Sequence, residues 1–505
     1  MNQNVWRTRI VTAAAVAAAV WLGGHIAAGE LFWPVFVCGA IGTVALSQMQ
    51  PVPVGTAILG CVAMGYIVGN RGFAQMSIAE GIPLLPAEFT LVVAGGIMVA
   101  QSAMNKDFPV RRDLMNAALI LWIALSSVRL IPDIKSYGVM ALRDYATVYY
   151  AAFFFLAQRA GSTDLERRFL MRCLMVGFTA LLVVYPFYVK FPDFFMGHLL
   201  LRGTPIIYFK DDLLGTFLAA GSVFAFAQFD RSKSRLALVL SLAMAAATMT
   251  TNNRASMLGL MIPAVFVALG GRPRFLVYLC CTAVVGALAL FLEAEIRDQR
   301  LENTPLYDMY ERVESLADPF GTGNYSGEVT SNKGDNNAFR STWWRIIIGE
   351  TVRINPWLGT GWGNDLAEPF LRAYYPEGGE DFGVRSPHNI FVTIFARTGL
   401  LGLVPFLGFV GVFLIRTWRA IRSNLESTGM WCAALTILTS ATFGVVLEGP
   451  MGAVLFWTVL GLACCKHPQK ALSDPALPDK RCSLTASGEW HVANGASLGS
   501  ESVAR

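Results

Sequence analysis

The stretch Arg385-Ser386-Pro387-His388-Asn389 closes a long polar segment and opens the apolar run Ile390-Phe391-Val392. Its imidazole can exchange a proton near neutral pH, so His388 is the candidate general base. Arg385 and Asn389 beside it are candidate substrate contacts. Four further cations stand out. Arg254 lies in Thr251-Asn252-Asn253-Arg254-Ala255-Ser256, Arg202 in Leu201-Arg202-Gly203, Lys210 in Lys210-Asp211-Asp212, and Arg340 begins a run containing Trp343-Trp344-Arg345. Arg345 is a fifth candidate. A guanidinium matches phosphate oxygens with a fork of donors, and arginine near a membrane plane is costly enough to suggest a task. These side chains would suit an anionic, diphosphate-bearing substrate. His198 is the rival base, while His25 sits in an apolar run and His467 and His491 lie toward the C-terminus.

The elements that must position them cross a bilayer. Hydrophobic residues make up 54% of the 505 and charged ones 15%, and apolar stretches of about 17–25 residues recur along the chain, the length of a membrane-spanning helix. About fourteen can be read, from Val11–Ala28 to Met451–Cys464, and twelve is the lower bound. Tyr145–Leu156 is short, and only Leu447-Glu448-Gly449-Pro450 separates the last two. The first stretch follows Arg7 and Arg9 but has no convincing cleavage site, so a membrane helix is expected there rather than a signal peptide. The cysteines lie mostly in apolar runs, without metal-ligand spacing.

Short loops alternate in charge. Lys106, Arg111 and Arg112; Arg159, Arg167 and Arg168; Arg231, Lys233 and Arg235; Arg272 and Arg274; and Arg416, Arg419 and Arg422 fall on one side. The positive-inside rule puts that side and both termini in the cytoplasm. The expected division is helices in 1–292, a long periplasmic catalytic loop in 293–388, helices in 389–465 and a disordered cytoplasmic tail in 466–505. Within the loop, Arg340 to Ile354 reads as an amphipathic helix resting at the interface. Asn355-Pro356-Trp357-Leu358-Gly359-Thr360-Gly361-Trp362-Gly363-Asn364 reads as a glycine-rich turn. The net charge of +5 reflects loop orientation and gives no argument for nucleic acid.

From Thr251 to Leu407 the chain resembles the O-antigen ligase and O-antigen polymerase superfamily. The likeness rests on Asn253-Arg254-Ala255-Ser256, Arg340 with Trp344, the glycine-rich turn, and His388-Asn389 leading into Thr398-Gly399-Leu400-Leu401-Gly402. The resemblance implies an all-α polytopic inner-membrane glycosyltransferase of the C-type architecture. It implies transfer of glycan from undecaprenyl diphosphate on the periplasmic side, with no metal or other cofactor. It assigns His388 to catalysis and Arg254, with Arg202, to diphosphate binding. Asp211-Asp212 stands where family members often carry asparagine, a departure, although Leu213-Leu214-Gly215 follows as in exopolysaccharide polymerases.

The implied reaction is attack of an acceptor hydroxyl on the anomeric carbon, with inversion. The acceptor is lipid A-core for a ligase and a second lipid-linked glycan for a polymerase, with a slight lean to polymerase. Transfer to a protein is a third acceptor class. A transporter or flippase is the alternative from another class. It predicts charges at helix midpoints and internal repeats, and the sequence has few of the first and none of the second. A non-catalytic assembly scaffold is the remaining reading.

Overall fold

The computed structural model describes residues 16–465, except 18, 29, 31, 78–84, 106–109, 252, 297–306, 308–309, 311–327 and 375–384, together with 483, 484, 490 and 491. Among the described residues, eight helices are long and apolar enough to cross a membrane: Phe32–Met49, Val54–Gln75, a third within Pro86–Asn105, Leu114–Tyr137, Asp164–Lys190, Asp211–Ser232, Arg274–Ile296 and Ile390–Arg422. Four shorter apolar helices accompany them: Arg235–Thr250, Arg254–Leu269, Thr428–Ala441 and Pro450–Ala463. The protein is an all-α polytopic membrane protein. Of the expected first helix, Val11–Ala28, residues 11–15 and 18 lie outside the described residues and the rest is largely helical; most of the expected C-terminal tail lies outside them. Within 466–505, Ser483–Leu484 pairs antiparallel with Trp490–His491.

Local sequence sets the helix starts. Asp113 accepts from the amides of Met115 and Asn116, and Thr163 forms a capping box with Glu166. Asn253 accepts from Ala255 and opens Arg254–Leu269. Asn389 accepts from Phe391 and Val392 and opens Ile390–Arg422. Each supplies an acceptor to amides that have no partner inside the helix. The expected span Tyr145–Leu156 is instead broken into Val139–Asp144, Ala146–Tyr149 and Ala152–Ala160.

Ile390–Arg422 contains a break that positions the chemistry. Gly399 has φ +60, so the helix ladder is interrupted there. The glycine-rich turn fills the interruption. Pro356 and Trp357 carbonyls accept from the amides of Leu400 and Leu401, and Thr360 and Gly361 donate to the carbonyls of Ala396 and Arg397. Irregular backbone at membrane depth is tolerated when protein groups satisfy it in this way. A Cβ on Gly399 would lie 2.3 Å from the Trp357 carbonyl carbon, and one on Gly359 2.5 Å from the Ala396 oxygen. The turn is held from its far side by Leu114–Tyr137. Asp133 accepts from the Trp362 amide at 2.7 Å, and the Trp362 indole donates to Ser126.

The sequence stretch expected to rest on the interface is part of a longer helix, Glu328–Ile354. It packs on protein. Trp343 and Ile347 are buried with Leu366, Ala367, Phe370, Val392 and Ala396. This apolar face has Ile390–Arg422 and Glu368–Tyr374 as partners, while Ile348, Val352 and Ile354 on the same helix are exposed.

The loops read as basic come together. Arg272 bonds Asp230 and Asn424, Arg167 lies 3.2 Å from Glu426, and Arg416 3.1 Å from Asp113. Asp230 is near the C-terminal end of Asp211–Ser232. The candidate site gathers at the other end of that helix, about 30 Å away at 1.5 Å per residue.

Candidate active site

Three helix N-termini meet at the site: Asp211–Ser232, Arg254–Leu269 and Ile390–Arg422. Asn253 Nδ2 donates to the Asp212 carbonyl at 2.8 Å and ties the first two. His388, two residues before the third, interacts electrostatically with Lys210, Asp212 and Arg340. Helix N-termini carry partial positive charge and free amides, so their convergence favours an anion.

His388 is half-buried and has φ +57, an uncommon conformation for a residue with a side chain. Its neighbours hold it there. The Trp344 indole N–H donates to the Pro387 carbonyl at 2.5 Å. The Trp343 ring lies edge-on to the imidazole with centroids 6.1 Å apart. Ser386 and Thr393 hydroxyls both donate to the Glu448 carboxylate, at 2.5 and 2.9 Å. The backbone around His388 is thus braced from Glu328–Ile354 on one side and from the bend before Pro450–Ala463 on the other.

Burial, followed by the nearby charges of Arg340 and Lys210, lowers the pKa of His388 to about 4; Asp212 and the Ser386 backbone act the other way. The imidazole is therefore neutral near pH 7 and able to accept a proton. Lys210 Nζ lies 3.0 Å from Asp212 Oδ2. Arg340 donates to the Phe443 carbonyl at 3.0 Å and senses the charge of Asp212. Arg254 donates to Asn337 Oδ1 at 2.9 Å. Asn337 and Arg340 are three residues apart on one helix and share a face, so Arg254 and Arg340 approach the same region.

Of the side chains singled out in the sequence, the structure gathers His388, Lys210 and Arg340, with Arg254 adjoining through Asn337. The others are placed differently. Arg202 stacks over Phe32 at 3.8 Å and Trp33 at 5.9 Å, an aromatic contact of the kind that anchors a cation. Arg385 donates to the Gly363 carbonyl and lies 3.9 Å from Asp144. Asn389 spends its side-chain oxygen on the helix cap. Arg345 is exposed. The rival His198 is exposed and stacks on Phe194.

Sequence reasoning passed over the supports. Arg397 is buried, lies 2.7 Å from Asp144 and donates to the carbonyls of Gly361 and Asn364. It ties Ile390–Arg422 to the glycine-rich turn. Glu448 was visible as a lone carboxylate between two apolar helices, a placement that usually has a reason.

Residues 236–407 match the family model described as O-antigen ligase. The matched segment contains Arg254, Arg340, the glycine-rich turn and His388, and it supports a likeness to the O-antigen ligase and polymerase superfamily. No curated protein matches the chain. Lys210 and Asp212 lie before the matched segment, and the fold brings them to it.

Proposed function

We propose that the protein is a glycosyltransferase that moves or polymerises glycan from undecaprenyl diphosphate on the periplasmic face of the inner membrane, in O-antigen or exopolysaccharide assembly. The observation that carries this reading is a neutral imidazole on a braced backbone, beside Lys210 and Arg340 where three helix N-termini meet. In this reading, His388 takes the proton of the acceptor hydroxyl as its oxygen attacks the anomeric carbon, and the configuration inverts. The bond to the diphosphate breaks and its electron pair leaves with the diphosphate. Arg340, Lys210 and Arg254 stabilise that growing charge, a contribution that is often the largest in a preorganised site. General-base help is typically worth about 10²–10⁴-fold.

Charge also explains how so weak a base becomes useful. An anionic diphosphate bound to Arg340 and Lys210 offsets two of the influences that lower the imidazole pKa. His388 then gains basicity when substrate is present, closer to the matching of pKa and pH that efficient proton transfer requires.

Two acceptors fit. Lys210 followed by Leu213-Leu214-Gly215 favours a second lipid-linked glycan, hence polymerase. The description of the matching family favours lipid A-core, hence ligase. Deletion followed by analysis of the cell's glycans separates them. Retained polymer that no longer reaches lipid A-core means ligase, and single repeat units mean polymerase. Unchanged glycans in both fractions would remove the proposal.

A further inference from the structure

The first turn of Asp211–Ser232 carries two carboxylates, and one would suffice to complement a helix N-terminus. Asp212 is placed differently from a surface acid. Its Oδ2 holds Lys210 at 3.0 Å, whereas its Oδ1 is buried with no hydrogen-bond partner among the described residues. An orphaned acceptor of this kind costs stability. Its carbonyl is fixed by Asn253 and by the Thr216 hydroxyl. A Cβ on Gly444 would come within 3.3 Å of Oδ2, so a glycine there leaves the carboxylate room. The fixed carboxylate interacts with Lys210, Arg340 and His388 at once.

We infer that Asp212 is a positioning residue for the transfer reaction: it holds Lys210 in the empty site and, once an anionic donor takes the ammonium over, its released carboxylate supports His388. This rests on the proposed function. In the step concerned, the acceptor oxygen bonds to the anomeric carbon and the carbon–oxygen bond to the diphosphate breaks, its electron pair passing to the diphosphate. The acceptor proton goes to His388. The imidazolium so formed gains a carboxylate that no longer faces a free lysine. A carboxylate stabilises a catalytic imidazolium in this way without taking its proton. The cost falls on binding, because Asp212 competes with the donor for Lys210 and repels its phosphates.

The test combines binding and turnover. Affinity for undecaprenyl diphosphate is measured on the full chain in lipid nanodiscs. Transfer is measured with lipid-linked glycan extracted from cells that lack this protein. Asp212→Asn is expected to bind undecaprenyl diphosphate about three- to fivefold tighter, the scale of losing one partly exposed ion-pair competitor. It is expected to turn over at least about tenfold more slowly. The acid limb of its kcat/KM profile should also move to lower pH, because the anion opposing Arg340 and Lys210 is gone. Asp212→Glu should restore part of the turnover. In a Lys210→Ala background, most of the tightening should vanish, since pairwise coupling requires both partners. Unchanged or weaker binding by Asp212→Asn, an unmoved acid limb, or full tightening without Lys210 would overturn the inference. Wild-type protein that neither binds undecaprenyl diphosphate nor transfers glycan would instead overturn the functional reading, and this one with it.

Discussion

Trp344 hydrogen-bonds the carbonyl of Pro387, the residue immediately before His388, at 2.5 Å. A bond at that position acts on the backbone that must keep His388 at φ +57. Trp344→Phe keeps an aromatic ring and loses the donor. It is expected to lower kcat by about tenfold while affinity for the lipid-linked donor changes little, because small misplacement of a reacting group is costly. Binding and transfer measured separately check this. Equal losses in both would mean that the bond supports the fold alone.

The pH dependence follows from the direction of the His388 shift. Its pKa is lowered to about 4, so the neutral form persists below the usual imidazole range. Transfer by the free enzyme, read as kcat/KM, should stay near its maximum down to about pH 5 and fall as the ring becomes protonated, since an imidazolium cannot accept a proton. The acid limb of kcat should lie at higher pH, because bound diphosphate stabilises the imidazolium. His388→Ala should lose roughly 10²-fold or more in turnover and keep donor binding. Near-normal transfer by that variant would remove His388 as the base and return attention to His198.

Arg254 and Arg340 are expected to respond differently from His388. Arg254→Ala should weaken donor binding as well as turnover, through loss of a charge-assisted contact. Arg254→Lys should recover only part, because lysine keeps the charge and loses the fork. Arg340→Ala should add a second signature. It removes one of the cations that lower the His388 pKa, so the acid limb should rise toward the ordinary imidazole range. An unmoved limb in Arg340→Ala would contradict the electrostatic account of this site.

The membrane architecture was readable because length and apolarity in a bilayer are local properties of the chain. The broken Val139–Ala160 region was less so, since its apolar run looks like one short span. His388 was readable from its place at the start of an apolar run. Arg254 and Arg340 drew notice as cations in a recurring pattern. Arg202 and Arg345 drew the same notice, and sequence alone could not separate an arginine held over Phe32 or facing outward from one facing His388. That distinction depends on helix packing across long separations, as when residues 210–212 meet residue 388. The capping role of Asn389 was also passed over. An asparagine before an apolar helix is a cap first, and the adjoining histidine drew attention to substrate.

Orientation has its own test. Arg345 is exposed on Glu328–Ile354, and Lys233 is exposed beside the basic loops. With the basic end in the cytoplasm, Arg345→Cys should react with an impermeant thiol reagent in cells with a permeabilised outer membrane, and Lys233→Cys only after lysis. The native cysteines require a background with accessible thiols replaced. The reverse pattern would put the candidate site on the wrong face for a periplasmic donor.

The last prediction concerns the break at Gly399. Its φ of +60 is one that L side chains rarely adopt, and an added Cβ would meet the Trp357 carbonyl carbon at 2.3 Å. Gly399→Ala therefore combines an unfavourable backbone conformation, about 1–3 kcal/mol, with an overlap that only movement of the turn can relieve. Moving the turn strains the bonds from Pro356 and Trp357 to Leu400 and Leu401, and the Trp362 amide bond to Asp133. Two consequences should appear together. Thermal unfolding in detergent should occur several degrees lower, and the protein that remains folded should transfer glycan more slowly, because the segment from His388 to Thr398 is set by this junction. Gly408→Ala is the control, since it lies in the same helix with nothing within 4 Å of an added Cβ, and it should leave both measurements near wild type. A Gly399→Ala protein with unchanged unfolding temperature and turnover would show that the turn does not fix the position of His388.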